Sequence, residues 1–291
     1  MKVRQAFRML VRIYCRYEDD DVTALGAQMT YYLILAFFPF LIVLMSLVGY
    51  TRMTATEAMD NLISFLPPNA GELLLDLIDR IVMEHNDAFL SAGTIGALWV
   101  SSNGVVALMK GLNKAYDEEE TRPYWMVKGI GLLFTLGLLL LLLVSLALLI
   151  FGHWLGIQLF GMYRIPVSYD RLWAVIRYTL PLPVLFSVFL CLYKWTPNRR
   201  LTFRSVIPGS FFAAVGWVAA SLLFSYYVSR FGSYSRTYGS VAGIFVLLVW
   251  LYLVSIIILL GAEINAELTF RREGRQRPSC KPFGLRWTSR K

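Results

Sequence analysis

The stretch Tyr238–Leu268, YGSVAGIFVLLVWLYLVSIIILLGAEINAEL, decides how this chain is read. It carries no charge from Val241 to Leu260, then closes on Gly261-Ala262-Glu263-Ile264-Asn265-Ala266-Glu267. About 20 apolar residues at ~1.5 Å each match a hydrocarbon layer of ~30 Å. A helix bordering water needs a polar face, and this one has none. It reads as a membrane span with two carboxylates at its far end.

Composition extends that reading to the whole chain. Of 291 residues, 57% are hydrophobic and 16% charged, against about 45–50% and about 25% in soluble domains. The excess lies in long runs, which points to a polytopic membrane protein. The net charge of +9 does not imply nucleic acid, because Lys and Arg sit between and beyond the apolar runs, the pattern of membrane topology. Cys15, Cys191 and Cys280 stand in no ligand spacing, and His85 and His153 are isolated. No metal site and no cofactor follow from these residues.

Residues 1–22 predict a cytoplasmic amphipathic helix. Arg4, Arg8, Arg12 and Arg16 recur every four residues opposite Val3, Phe7, Leu10 and Tyr14. Such a helix lies on an anionic leaflet or serves as a solvated topology signal. Residues 23–270 predict an all-α bundle of six transmembrane helices, at about 24–50, 89–116, 127–151, 172–193, 203–229 and 241–268. Span 1 carries Tyr31, Tyr32 and a central Pro39, which removes a backbone donor and predicts a kink. The first outer loop, 52–87, predicts two short amphipathic helices separated by Pro67-Pro68. Span 2 is the most polar. Ser101, Ser102, Asn103 and Gly104 fall near mid-membrane, so this helix must face protein or a water-filled cavity. Its small residues, Gly93, Ala97 and Ser101 with Ala92 and Gly96, suit close helix packing, as do Gly209, Ala213 and Gly216 of span 5. The acidic run Asp117–Glu120 reads as a solvated face. Span 3 is Leu-rich and reads as the lipid-facing helix. Pro181 and Pro183 predict a bent span 4. The basic tail, 271–291, is expected near lipid headgroups.

Orientation follows from Lys and Arg. With the N-terminus inside, 20 of the 28 fall in segments expected inside and seven outside, Lys110 lying within span 2. The bias places both termini in the cytoplasm.

Ordered motifs then suggest a family. They are Tyr31-Tyr32 with Pro39, Leu98-Trp99 through Gly104, and Leu112-Asn113-x-x-Tyr116 with Arg122. Tyr193-Lys194-x-x-Pro197-Asn198, Tyr234-x-x-x-Tyr238-Gly239, Trp250-x-Tyr252 and Gly261-Ala262-Glu263-x-Asn265 follow. Over about residues 20–270 the chain resembles the YihY/BrkB family of bacterial inner-membrane proteins, formerly mislabelled ribonuclease BN. The resemblance implies a six-helix protein of the inner membrane that moves lipids or other amphiphiles or supports their export. It carries over Pro39, Asn103, Asn113, Gly239, Glu263 and Asn265, and no catalytic assignment.

Three functions are weighed. A transporter would use Glu263, Asn265, Asn103, Ser102, Asn113, Tyr31 and Pro39 as its polar core. An intramembrane carboxylate is costly and has either a partner or a task. The structural alternative for Glu263 is a pair with Lys110, Lys194 or Lys128. A non-transporting platform would dock a periplasmic or cytoplasmic partner on the outer amphipathic helices and basic termini. An enzyme would need a His–carboxylate or nucleophile–base constellation, and the sequence offers none. The expected partners are membrane lipids and an envelope protein, with no nucleic acid. Oligomeric state is not legible.

Overall fold

The computed structural model describes residues 2–50, 87–163, 179–230 and 240–275. Among them every regular element is an α-helix: α1 Lys2–Asp19, α2 Val22–Tyr50, α3 Asp87–Ala115, α4 Tyr124–Tyr163, α5 Pro181–Trp195, α6 Phe203–Arg230 and α7 Ser240–Arg272. The paired helices expected over 52–87, the start of span 4 at 172–178, Gly239 and the tail from 276 lie outside the described residues.

Three helices are long and apolar enough to cross a membrane, at Tyr124–Ser145, Phe203–Val228 and Phe245–Arg272. Val22–Ala36 and Pro181–Trp195 are apolar but shorter over their described residues. Local chemistry sets the boundaries. Asp21 (φ 50°) separates α1 from α2, and Asp117 (φ 55°) follows α3. Aspartate enters this left-handed region more readily than most side chains. Pro181 and Pro183 stand in the first turn of α5, where a missing N–H leaves no ladder bond unmade.

α7 is the central helix: α1, α2, α3 and α6 all pack on it. α3 lies against α2, α4 and α7, and α5 packs on α6. Leu112, Tyr116, Tyr193, Val206, Ala213, Ala262 and Ala266 fill the space between them. α4 turns Leu133, Leu136, Leu138 and Leu140 outward, as a helix facing acyl chains should.

The α6–α7 crossing is backbone against backbone. A Cβ on Gly209 would strike the Gly261 carbonyl, with Asn265 Cγ at 2.5 Å; one on Gly261 would strike the Tyr193 hydroxyl. Pro208 interrupts the α6 ladder, and the N–H of Gly209 donates to Asn265 Oδ1 at 2.7 Å. Tyr193 donates to the Ile258 carbonyl at 2.6 Å. Gly26 and Gly216 likewise seat Ile256 and Ile257 of α7. The small-residue stripe of span 2 behaves differently at Gly96. Among the described residues nothing lies within 4 Å of a Cβ there, so none of them approaches this glycine. Gly104 and Gly111 of the same helix are approached, by Leu33 and Leu259.

Four segments meet at one end of the bundle. Asn198, after α5, donates its N–H to Asn113 Oδ1 at 2.7 Å and its amide to the Glu119 carbonyl at 2.8 Å. Arg122 reaches the Thr196 carbonyl at 2.9 Å. Arg199 pairs with Glu273 beyond α7 at 2.6 Å, and Arg16 of α1 donates to the Ala115 carbonyl at 3.0 Å.

Overpacking at Gly209 should therefore cost stability where the same change at Gly96 should not. Gly209→Ala is expected to lose about 1–3 kcal/mol, read as thermal unfolding in detergent. Gly96→Ala should be neutral or gain up to ~1 kcal/mol from helix propensity. Equal effects of the two would contradict the close crossing.

Candidate functional site

Among the described residues, buried charge is concentrated where α1 meets α7. Glu263 and Glu267 are one turn apart, so both carboxylates project from one face of α7. Glu263 is 2% exposed and Arg16 3% exposed. Arg16 donates from one terminal nitrogen to Glu263 at 3.2 Å and from Nε to Glu267 at 3.1 Å. Its Cζ lies 4.8 Å from the ring centre of Phe270. Arg12, half exposed, adds a second cation on Glu267 at 3.2 Å. Asp20, the residue after α1, is also buried. The planar guanidinium fork explains why arginine holds this position: it serves two carboxylates and a carbonyl at once.

This geometry corrects two expectations. Glu263 pairs with Arg16, not with Lys110, Lys194 or Lys128. Arg16 is not a membrane-surface residue, because its side chain is enclosed between α1, α3 and α7. The four-residue recurrence of arginines conceals the difference, since Arg12 and Arg16 share the stripe yet only Arg16 faces inward. The side chains of Arg4 and Arg8 lie outside the described residues.

The other polar residues separate into distinct places. Ser102 is fully buried and donates to its own helix at Trp99 O, 2.7 Å away. Asn103 Oδ1 accepts from Lys128 at 2.6 Å. Asn113 is buried and bridges the two loops, donating to Glu120 at 2.8 Å while accepting from Asn198. Asn265, also fully buried, serves the α6–α7 crossing; its Nδ2 is a buried donor with no partner among the described residues. Tyr31 is exposed and lies edge-on to Tyr32. The helix α2 runs through Pro39, whose side chain lies outside the described residues. One site therefore does not gather all these residues. Tyr193, Gly209 and Arg199 support the same end of the bundle and were not singled out from sequence as site residues.

The acidic run is also not simply solvated. Glu118 pairs with Arg199 at 3.2 Å, and Glu120 takes two nitrogens of Arg122 at 2.7 Å each. The Arg122 hydrogen bond holds the Glu120 carboxyl below its ordinary range, against the opposing effect of burial. The folded state thus binds its proton less readily than the unfolded state. The stabilisation is complete at neutral pH and is lost as pH falls through the carboxylate range, below about 4.

Removing Arg16 as Arg16→Met should cost about 3–5 kcal/mol by stranding buried carboxylates, measured as thermal unfolding. Glu120→Gln should unfold slightly earlier than wild type at pH 7 and lose less stability on acidification. An identical acid response in both would remove Glu120 from the loop staple.

Comparison with known proteins adds an independent line. The Virulence factor BrkB family matches residues 13–282. The "putative ribonuclease-like protein YfkH" of Bacillus subtilis is 37% identical over 264 residues, covering 91% of this chain and 96% of the relative. A UPF0761 membrane protein of Aeromonas salmonicida is 30% identical over 270 residues, covering 88% and 87%. One of Pseudoalteromonas translucida is 28% identical over 266 residues, covering 85% and 81%. No solved structure matches significantly. With the match spanning nearly its whole length, and with apolar helices long enough to cross a bilayer, this chain belongs to the BrkB family of membrane proteins.

Proposed function

We propose that this protein is a six-span protein of the bacterial inner membrane, with both termini cytoplasmic, that moves or supports the export of a lipid or other amphiphile. One feature supports the topology. The four segments expected inside by their Lys and Arg content are those that meet at one end of the bundle. An even number of crossings between the two chain ends follows from such an arrangement.

The single observation that carries the functional reading is Arg16, set between Glu263 and Glu267 of the central helix. α1 is an interfacial helix by composition, with Phe7, Leu10 and Tyr14 exposed and suited to acyl chains. The ion network latches this helix onto the bundle interior. A reversible pair between a lipid-surface helix and a buried carboxylate is a means of opening and closing the cytoplasmic end. Glu263 is then the gate residue and Arg16 its cation. We assign no hydrolytic reaction; the ribonuclease label on the Bacillus relative describes that protein's name alone.

The exposed Phe7–Leu10–Tyr14 stripe also favours a second reading, a platform that docks a protein partner on α1. Reconstitution separates the two. Wild type in liposomes should move a fluorescent phospholipid between leaflets, and Glu263→Gln should slow it about tenfold, or ~1.4 kcal/mol on the barrier, with folded protein retained. Unchanged transport in a folded Glu263→Gln variant would remove the gate. A wild type that moves nothing, together with a co-purifying partner, would favour the platform.

A further inference from the structure

A second buried cation lies away from the ion network. Lys128 is 2% exposed, one turn into α4. Its ammonium donates to Asn103 Oδ1 at 2.6 Å and to the Trp99 carbonyl at 2.8 Å. The Trp99 ring centre lies 4.6 Å from Nζ. All three partners are neutral, and no carboxylate among the described residues pairs with this amine. A buried charge without an opposite charge is costly. The ammonium has three donors, and the third has no acceptor among the described residues. Neither has the Asn103 amide nitrogen, on a side chain that is only half-buried.

The surroundings identify what could supply the missing charge. Trp99, Trp125 and Tyr124 are 40%, 73% and 62% exposed. Their rings form a chain, with Trp99 6.3 Å from Trp125 and Trp125 5.4 Å from Tyr124. Exposed Trp and Tyr gather at the level of lipid headgroups. By that rule the unpaired ammonium lies at headgroup level, behind the ring of Trp99, and its partner Asn103 lies nearer the surface than the mid-membrane position expected from sequence.

We propose that Lys128 and Asn103 form a binding site for the phosphate of an anionic phospholipid, with Trp99 as its movable cover. The phosphate accepts the third ammonium N–H and the Asn103 amide, while the acyl chains run along the exposed leucines of α4. A net anionic headgroup is selected because a zwitterionic one would bring its own cation toward Lys128. Binding here does not require lipid to move, so a failure of transport leaves this site untouched.

Native mass spectrometry of the detergent-purified protein, titrated with phosphatidylglycerol or phosphatidylcholine, tests the site. Wild type should retain phosphatidylglycerol in preference to phosphatidylcholine. Lys128→Gln should weaken phosphatidylglycerol about tenfold and Lys128→Arg much less, while Lys110→Gln, at an exposed position, should match wild type. Glycerol phosphate should not displace the lipid. If Lys128→Gln does not fold, Asn103→Ala reads the same loss with the lysine in place. Equal phosphatidylglycerol retention by wild type and folded Lys128→Gln or Asn103→Ala, no preference of wild type for the anionic lipid, or displacement by glycerol phosphate would each overturn the proposal.

Discussion

An arginine enclosed in an apolar bundle needs an opposite charge within reach. Arg16, with Glu263 and Glu267 on one face of α7 and the Ala115 carbonyl sharing the terminal nitrogen that donates to Glu263, meets that requirement. The arrangement constrains several elements together. α1 must end against α7, α3 must present its last carbonyl there, and the Asp21 turn must bring α2 back into the bundle. Since removing one partner of such a group strands the others, the network behaves as a unit. It also makes α1 part of the bundle, and this is the physical basis for reading the helix as a latch and not as a passive charge signal.

The rest of that end is built from a different material. The loops after α3 and α5 are held by neutral amides and exposed ion pairs, which individually contribute little but fix the loop register. Above them, Gly209 and Gly261 let α6 and α7 touch through their backbones. Pro208 leaves a gap in the α6 ladder, and Asn265 supplies an acceptor for the neighbouring N–H. A close glycine crossing and a buried amide are both responses to the same condition: without water, every backbone group needs a partner within the protein. The α6–α7 crossing is thus held by backbone contact, and α1 by side-chain ions.

Much of the architecture was legible because hydrophobic run length is a direct physical signal. The helix boundaries of α2, α3, α6 and α7 fall within a few residues of the expected spans, since each is framed by charge, turn residues or both. The pairing of Glu263 was not legible. Several cations were expected at the same level, and sequence spacing cannot tell which of them a distant helix will bring to it. Arg16 looked like Arg12 because the two share one stripe, but a four-residue period drifts around a helix of 3.6 residues per turn, and it is the position nearest the Asp21 turn that swings inward. At Gly96 no described residue takes up the close approach that a small side chain permits, since permitting a partner does not demand one. Lys128 was placed correctly near a helix end, yet its burial against Asn103 and Trp99 depends on the lateral contact of α3 with α4.

The latch is tested most directly by a distance distribution between α1 and the end of α7. Spin labels carried by non-canonical amino acids at Phe7 and Arg272, with the native cysteines left in place, would be measured by pulsed electron resonance in lipid nanodiscs. A docked α1 predicts one narrow distance population that broadens when Arg16→Met is added. A broad distribution already present with Arg16 intact would mean that α1 moves freely over the membrane, and would contradict the account.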